Sequence, residues 1–282
     1  MEIKTFAKIN LSLYVVGKTD NGYHKLDMIM QTISLYDTIY VSKREKGIKI
    51  SANNPEIPLG PDNIAYKAAD LMLRSFNLSS GVNIHIEKNI PIGAGLAGGS
   101  TNAAGVIKLI NEIYNLKLKE KDLDKLALKL GADVPFCLRQ GTYEAKGIGE
   151  ILTPIEAGFK NQLILLVKPE FSISTKETFS KVQGRFSKDL KTDKLIKAIK
   201  NKDIESMNKN MENDLEKIIV EDFGFKEIKE IKERLYSLGA KAALMSGSGP
   251  TVYGIFDEKK LALMAENEFR KKYKETFLVY TL

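Results

Sequence analysis

The sequence is poor in the residues that form disulfides and metal sites. It has one cysteine, two histidines and no tryptophan in 282 residues. A single cysteine excludes an internal disulfide and a zinc site with several cysteine ligands. A chain of this length buries most of the surface that its unfolded form exposes, so it can fold without such crosslinks. We therefore expect a protein of a reducing compartment, the cytoplasm.

Long hydrophobic runs are also missing. The longest purely aliphatic run is Leu163–Val167, whereas a membrane-spanning helix needs about 18 or more apolar residues. The first residues contain no apolar stretch followed by a small-residue cleavage site, which a secretory signal would have. We expect a soluble chain with no membrane partner.

The charge is mildly basic and spread along the chain. Lys and Arg number 43 and Asp and Glu 36, a formal net charge of +7, and 43% of the residues are hydrophobic, too many for a disordered chain. A nucleic-acid groove would usually show a larger bias with interleaved aromatic residues. The densest basic stretch, 181–200, is better explained as the solvent-facing side of a helix. The balance suits a polyphosphate ligand, and we expect no nucleic-acid partner.

Hydrophobic periodicity predicts a mixture of strands and helices. Alternation in 6–16 places Lys8, Asn10 and Ser12 opposite an apolar face, which predicts a half-buried strand. Further strands are predicted at 28–33, 37–42, 47–52, 82–88, 142–146, 151–155, 163–167, 242–245, 251–256 and 277–281. Helices are predicted at 63–76, 100–115, 122–130, after a capping box at Ser174, over most of 192–238, and at 258–271.

The order of these elements predicts an α+β protein. Strands and helices mix without strict alternation, which favours α+β over a doubly wound sheet. The segment 157–161 has the character of a linker, and the pattern changes after it. We expect an N-terminal domain at 1–156 and a C-terminal domain at 162–282.

A glycine-rich loop is the strongest single feature. Gly93, Gly95, Gly98 and Gly99 fall within seven residues and are followed directly by Ser100. Glycine allows positive φ and close backbone approach, so successive N–H groups can converge on an anion at the start of the next helix. The hydroxyls of Ser100 and Thr101 could add contacts to phosphate oxygens or to magnesium. A tight loop with a helix cap is the simpler alternative, and phosphate binding is favoured over it.

Three familiar phosphate motifs do not fit this loop. Gly93-x-Gly95-x-x-Gly98 matches the dinucleotide fingerprint in form, but Pro91 separates it from the strand and no acidic strand end follows about 20 residues later. A Walker loop needs Gly-Lys-Ser/Thr, and Gly99 is followed by Ser100. The protein-kinase motifs are absent. Another phosphate-binding architecture is required.

The loop and three other blocks resemble the GHMP kinases. Pro91-x-Gly93-x-Gly95-Leu96-x-Gly98-Gly99-Ser100 is similar to their phosphate motif. The other blocks are Ala7–Leu11 with Gly22–Leu26, Gly131–Phe136, and the glycine motif Ser246–Thr251. Ala94 and Ala97 stand where many members have glycine; we expect both to keep negative φ and to stiffen the loop slightly.

The resemblance implies a fold and a reaction. It implies an N-terminal domain like domain 2 of ribosomal protein S5 and a C-terminal ferredoxin-like α/β sandwich around one cleft. It implies direct in-line transfer of the ATP γ-phosphate, with Mg²⁺ as the nucleotide complex, to the 2-hydroxyl of a cytidine diphosphate ester of the non-mevalonate isoprenoid pathway. Another kinase of the family, such as homoserine kinase, remains an alternative.

The resemblance also implies residue roles. Lys8 and Asp133 are the expected catalytic residues, Asp133 as the general base or as the group that positions the hydroxyl; its simpler alternative is a turn carboxylate. The residues expected to bind ATP form one continuous loop: Pro91, Ile92, Gly93, Ala94, Gly95, Leu96, Ala97, Gly98, Gly99, Ser100 and Thr101. Lys88 could reach the nucleotide or be an exposed strand-end lysine.

The expected substrate site combines aromatic and small polar residues. Tyr23 would stack on the cytosine, His24 would hydrogen-bond it, and Phe179 would be a second stacking ring or, alternatively, a helix-core residue. The other members of this expected set are Asn10, Thr175, Gly247, Ser248 and Gly249. The sequence does not identify which groups hold magnesium. An RNA-binding protein is a rival from another class, although the glycine-rich loop and Asp133 would have no function there. A dinucleotide-dependent oxidoreductase fails on the missing second acidic residue.

Overall fold

The computed structural model describes residues 1–156 and 158–282, so Ala157, in the expected linker, lies outside the described residues. Contacts between residues divide the chain into two compact units. Unit 1 comprises Met1–Ala7, Leu35–Ile92 and Ala97–Gln140, and unit 2 comprises Lys8–Ser34, Gly93–Leu96 and Gly141–Leu282. These units follow other bounds than the sequence-based domains 1–156 and 162–282, which stay a prediction.

The described elements are strands and helices in mixed order. The strands are β1 (Glu2–Lys18), β2 (His24–Arg44), β3 (Ile48–Ala52), β4 (Gly81–Glu87), β5 (Thr142–Gly147), β6 (Ile151–Pro154), β7 (Leu163–Lys168), β8 (Ala242–Met245), β9 (Val252–Phe256) and β10 (Glu275–Tyr280). The helices are α1 (Ile64–Ser75), α2 (Gly98–Ile113), α3 (Glu120–Leu128), α4 (Val134–Arg139), α5 (Thr175–Ser180), α6 (Thr192–Lys200), α7 (Ile204–Asn210), α8 (Asp214–Glu221), α9 (Glu227–Ser237) and α10 (Lys259–Arg270). This mixture confirms the α+β prediction.

Two sequence predictions were wrong in detail. The runs 28–33 and 37–42 belong to the single strand β2, because no glycine or proline interrupts the chain between them. The short helix α4 was not predicted from the sequence, although Pro135 lies within it. Proline is tolerated in the first turn of a helix, where its missing N–H has no intrahelical partner, and Pro135 occupies that position.

In unit 1, helices α1 and α2 pack on one another beside strands in the order β3-β4-β2. Within it β4 runs antiparallel to β2 and parallel to β3. Gly105 of α2 is required for a close approach, because a Cβ built there would lie 2.4 Å from Thr5 Cγ2 and 3.3 Å from Ile39 Cγ1. This contact sets how closely α2, which follows the glycine loop, lies to the strands.

In unit 2, the antiparallel strands β7 to β10 form a sheet in the order β10-β7-β9-β8. Helices α5 to α9 connect β7 to β8, and α10 connects β9 to β10. This is the β-α-β-β-α-β arrangement of ferredoxin-like folds, as expected. The sheet strand β7 is buried along its whole length, from Leu163 to Lys168.

Strand β1 differs from its prediction in burial. The apolar face from Ala7 to Val15 is buried, but so is the opposite face, where Lys8 is 4% exposed, Asn10 1% and Ser12 0%. The C-terminal sheet and glycine motif cover this face: Tyr253 Oη donates to Asn10 O at 2.8 Å, and Asn10 N donates to Ser246 Oγ at 3.3 Å. The prediction of a half-buried strand was therefore wrong at these positions.

Candidate active site

Helix α2 begins on a left-handed alanine. Ala97 has φ 57° and ψ 28° as the residue before the helix, so the expectation of negative φ was wrong for Ala97, whereas Ala94 does not adopt positive φ. The left-handed conformation costs an alanine roughly 1–2 kcal/mol. The loop needs this turn in order to direct the chain from Leu96 into the helix.

The first turn of α2 lacks a side-chain cap, since Ala97 carries no polar group. Thr101 is already engaged: its Oγ1 donates to Phe6 O at 2.9 Å and its N–H to Ala97 O at 2.9 Å. Ser100 is half-buried and Gly99 exposed. The first N–H groups of a helix have no intrahelical acceptor, so Gly98, Gly99 and Ser100 present donors that an anion can bind.

The loop entry holds a buried ion pair. Lys88 Nζ lies 2.7 Å from Asp37 Oδ2, and the two side chains are 6% and 0% exposed. Lys88 also donates to Ile90 O at 2.6 Å. The alternative of an exposed strand-end lysine was therefore wrong, while a contact of Lys88 with a nucleotide stays a prediction.

Asp133 lies at the N-cap of α4 but does not use its carboxylate as a cap. Its backbone oxygen accepts from Cys137 N at 3.1 Å, and the residue is half-buried. The turn before it is closed by a bond from Val134 N to Gly131 O at 3.2 Å. The Asp133 side chain therefore does not act as a helix cap, so the simpler alternative of a turn carboxylate was wrong. Its carboxylate oxygens are available to contact a substrate.

Lys8 is a buried cation of unit 2 that contacts the glycine loop. Its Nζ donates to Asn10 Oδ1 at 2.6 Å and to Gly95 O at 2.9 Å, and its backbone N–H donates to Leu96 O at 3.2 Å. A Cβ built on Gly247 would lie 3.1 Å from the same Nζ. Lys8 is therefore a buried residue, and it lies where β1, the glycine loop and the C-terminal glycine motif meet.

The C-terminal glycine motif packs backbone to backbone on residues 93–96. Ser246 Oγ donates to Gly95 O at 3.0 Å, and a Cβ on Gly95 would lie 2.2 Å from Ser246 O. Gly95 and Gly247 have φ 74° and 57°. Only residues without a Cβ allow this approach at low cost. The two glycine motifs, far apart in sequence, thus form one structure.

His24 and Phe179 stack directly on one another. Their ring centroids lie 5.1 Å apart with an interplanar angle of 30°. His24 Nε2 is buried and has no hydrogen-bond partner within the described residues. Burial, and secondarily the charge of Lys18, lower the pKa of His24, which favours the neutral ring. Tyr23 is 60% exposed. Phe179 is half-buried against the His24 ring and is therefore no helix-core residue, while its role as a second stacking ring stays a prediction.

Small polar groups complete this part of unit 2. Thr175 Oγ1 and Ser248 Oγ lie 2.7 Å apart, and Ser174 Oγ accepts from Glu177 N at 3.3 Å, one half of the expected capping box. Asn213 was not predicted from the sequence. It is 2% exposed, and its Nδ2 donates to Met245 O at 2.8 Å and to Gly247 O at 2.9 Å. Its role at the cap of α8 was its only sequence signal.

The candidate residues fall in both units. Unit 1 contains Asp133, Pro91, Ile92 and Ala97–Thr101; unit 2 contains Lys8, residues 93–96 and the expected substrate residues. The catalytic roles of Lys8 and Asp133 stay predictions. Across residues 1–156 and 158–282, no group of three or more His, Cys, Asp or Glu side chains could hold a metal ion, and no helix could cross a membrane.

Comparison with known proteins agrees with this arrangement. Residues 63–141 match the family described as the GHMP kinases N-terminal domain, and residues 195–275 match the GHMP kinases C-terminal family. The first range contains the glycine loop and Asp133, and the second contains the C-terminal glycine motif. The chain belongs to the GHMP kinases and has their two-domain mixed α/β fold. It is an ATP-dependent small-molecule kinase.

Individual relatives within and beyond this family can be compared with the chain over its full length. The chain is 45% identical over 280 residues, 99% of both chains, to the 4-diphosphocytidyl-2-C-methyl-D-erythritol kinase of Clostridium botulinum strain Loch Maree. A crystal structure of 4-(cytidine 5'-diphospho)-2C-methyl-D-erythritol kinase is 32% identical, with a TM-score of 0.84 and coverage of 100% of this chain and 99% of that one. Homoserine kinase from Cytophaga hutchinsonii is similar in fold alone, at 16% identity and a TM-score of 0.73, covering 100% and 94%.

Proposed function

We propose that the chain transfers the γ-phosphate of ATP to the 2-hydroxyl of 4-diphosphocytidyl-2-C-methyl-D-erythritol, a step of the non-mevalonate isoprenoid pathway. The observation that carries this choice is the full-length similarity at 45% identity to a relative of that name. The buried, unpartnered Nε2 of His24 on the face of Phe179 supports it, because a nucleobase offers a hydrogen-bonding edge.

In this proposal the glycine loop binds the phosphates of ATP. The donors are the N–H groups of Gly98, Gly99 and Ser100, reinforced by the positive end of the α2 dipole. Buried Ala94 and Leu96 shape the loop, and Thr101 supports it through Phe6 rather than through a phosphate contact. The loop from Pro91 to Thr101 thus serves as one binding element.

Asp133 and Lys8 are the proposed catalytic residues. The substrate hydroxyl oxygen attacks the γ-phosphorus, the bond to the β-phosphate oxygen breaks, ADP leaves, and the hydroxyl proton passes to the Asp133 carboxylate or is oriented by it. A positioned base contributes about 10²–10⁴-fold in rate. The Lys8 ammonium, fixed by Asn10 and Gly95 O, offers positive charge to the transferring phosphoryl.

Mg²⁺ enters this proposal with the nucleotide. With no cluster of acidic or histidine side chains among the described residues, the chain suits an ion that keeps phosphate and water ligands rather than a protein cage. The half-buried Ser100 hydroxyl and the Asp133 carboxylate are the side chains placed in unit 1 that could contact it. Bound there, the ion would neutralise charge on the phosphates.

The proposed substrate site lies in unit 2. Tyr23 stacks on the cytosine, and His24 hydrogen-bonds the base through its free Nε2 while Phe179 supports the imidazole from behind. The remaining groups proposed to contact the diphosphate and the alcohol are Asn10, Thr175, Gly247, Ser248 and Gly249. Both reactants are small molecules, and we place the reaction in the cytoplasm, without a nucleic-acid partner.

A coupled assay of ATP consumption tests the proposal. The purified chain is given 4-diphosphocytidyl-2-C-methyl-D-erythritol, homoserine and mevalonate in parallel, with ADP release followed through a coupling enzyme. We expect turnover with the cytidylyl substrate and none above background with the other two. Turnover of homoserine alone would overturn the substrate assignment and favour the alternative within the family.

A further inference from the structure

Asp37 is a fully buried carboxylate that no proposed catalytic step uses. It is 0% exposed and lies on β2. Its Oδ1 accepts from Asn89 N at 2.7 Å and Ile90 N at 2.8 Å, and its Oδ2 accepts from Lys88 Nζ at 2.7 Å and Asn102 Nδ2 at 2.7 Å. A carboxylate has about four acceptor sites, so Asp37 has a donor for each.

These donors stand at the two ends of the glycine loop. Asn89 and Ile90 directly precede Pro91, where the loop begins, and Asn102 lies in the second turn of α2, just beyond Gly98 and Gly99. Oδ1 therefore holds the entry of the loop, and Oδ2 is connected to its exit. The Asp37 carboxylate thus connects the residues before the loop to the helix after it, all within unit 1.

The charge of Asp37 is also needed at this position. A Cβ built on Gly98 would lie 2.8 Å from Lys88 Nζ, so the ammonium stands against the first residue of α2. A cation near the positive end of a helix dipole is unfavourable without a compensating anion. Asp37 supplies that anion and keeps Lys88 beside the helix end whether or not phosphate is bound.

We propose that Asp37 is a positioning residue for ATP binding, which holds both ends of the phosphate loop and the Lys88 ammonium in their binding arrangement. The inference rests on the proposed placement of the ATP phosphates at this loop. Asp37 itself touches neither ATP nor the alcohol. It lowers the cost of binding because the loop is ordered before the phosphates arrive.

An amide of the same shape cannot replace the carboxylate. In Asp37→Asn, one side of the group becomes an NH₂ that must face either the two backbone N–H donors or the Lys88 and Asn102 donors. In either orientation the NH₂ group faces other hydrogen-bond donors in a buried site, which is unfavourable. The substitution also removes the negative charge that balances Lys88. Asn102→Ala is milder: it removes the link from Asp37 to α2 and the bond from Asn102 Nδ2 to Thr5 Oγ1 at 3.2 Å, but it leaves the loop entry and the ion pair intact.

The test compares Asp37→Asn, Asn102→Ala and a stability control. The control, Ile84→Ala, truncates a buried side chain of β4 that is 1% exposed, and Ile84 is not one of the residues that donate to Asp37. The Kd for Mg·ATP is measured by calorimetry, together with KM for each substrate and Tm. We expect the Kd and KM for ATP to rise at least tenfold in Asp37→Asn and about threefold in Asn102→Ala. KM for the alcohol should stay within twofold, and Ile84→Ala should lower Tm alone.

The opposite pattern overturns the inference. If both loop variants lose Tm as Ile84→Ala does but keep the Kd for ATP within twofold, Asp37 is merely structural; should Asp37→Asn not fold, Asn102→Ala decides. If the unsubstituted parent chain does not bind ATP, the inference is overturned together with the proposed function. A parent that binds ATP but ignores the cytidylyl alcohol overturns only the proposed substrate, and the Kd series then decides the role of Asp37.

Discussion

The close packing of the two glycine motifs makes Gly95→Ala a sensitive test of the site. Gly95 has φ 74°, and a Cβ there would lie 2.2 Å from Ser246 O and 3.1 Å from Gly249 N and O. The left-handed conformation costs an alanine roughly 1–2 kcal/mol, and forcing atoms into packed structure typically costs about 1–3 kcal/mol more. We therefore expect a loss of about 2–5 kcal/mol, or a fall in Tm of roughly 4–20 °C.

The same substitution should impair ATP use, because Gly95 O accepts from both Lys8 Nζ and Ser246 Oγ. Calorimetric unfolding and the KM for ATP measure the two effects. Gly60→Ala is the matched control, since a Cβ added to Gly60 would meet no heavy atom within 4 Å and Gly60 does not adopt positive φ. A Gly95→Ala chain as stable and as active as the Gly60→Ala chain would refute the described contact between the glycine motifs.

Three further predictions concern the proposed catalytic and substrate residues. Asp133→Asn should abolish phosphoryl transfer while the calorimetric Kd for ATP stays nearly unchanged; near-normal turnover would remove Asp133 from the chemistry. Tyr23→Ala should raise KM for the cytidylyl substrate more than it lowers kcat, because stacking on a base is worth about 1–3 kcal/mol, and an unchanged KM would contradict the stacking role. Since the pKa of His24 is lowered by burial, the unfolded chain binds the proton first as the pH falls. The stability that the folded chain gains from a neutral His24 is therefore complete above the ordinary pKa of histidine and is lost as the pH falls through the lowered pKa. Urea unfolding at several pH values should show this fall in the free energy of unfolding, and the His24→Gln chain should lack it.

The local pattern of the sequence determined the types of most elements and the existence of the phosphate loop. Periodicity is a local property, so α1, α2 and β4 were predicted within a few residues of their bounds. The glycine cluster of the loop could be recognised because only glycine adopts positive φ cheaply, and Gly93 and Gly95 do adopt it, whereas Gly98 and Gly99 begin α2. The glycine-rich loop together with the blocks around Lys8, Asp133 and Ser246 pointed to the GHMP kinases, because each of these motifs is a local string of residues.

Contacts between distant residues were decided only by the tertiary structure. No local pattern indicated that Asp37 would meet Lys88 and Asn102, or that Asn213 would hold Gly247, because hydrogen bonds between residues far apart depend on how the strands and helices pack. Ala97 was misjudged for the same reason, since the path of the loop into α2 imposes a left-handed turn that its residue type disfavours. The sequence alone determined where the glycine-rich loop lies and which residues are proposed to bind phosphate. Packing decided which polar groups are buried and that the Asp37 carboxylate contacts both ends of the loop.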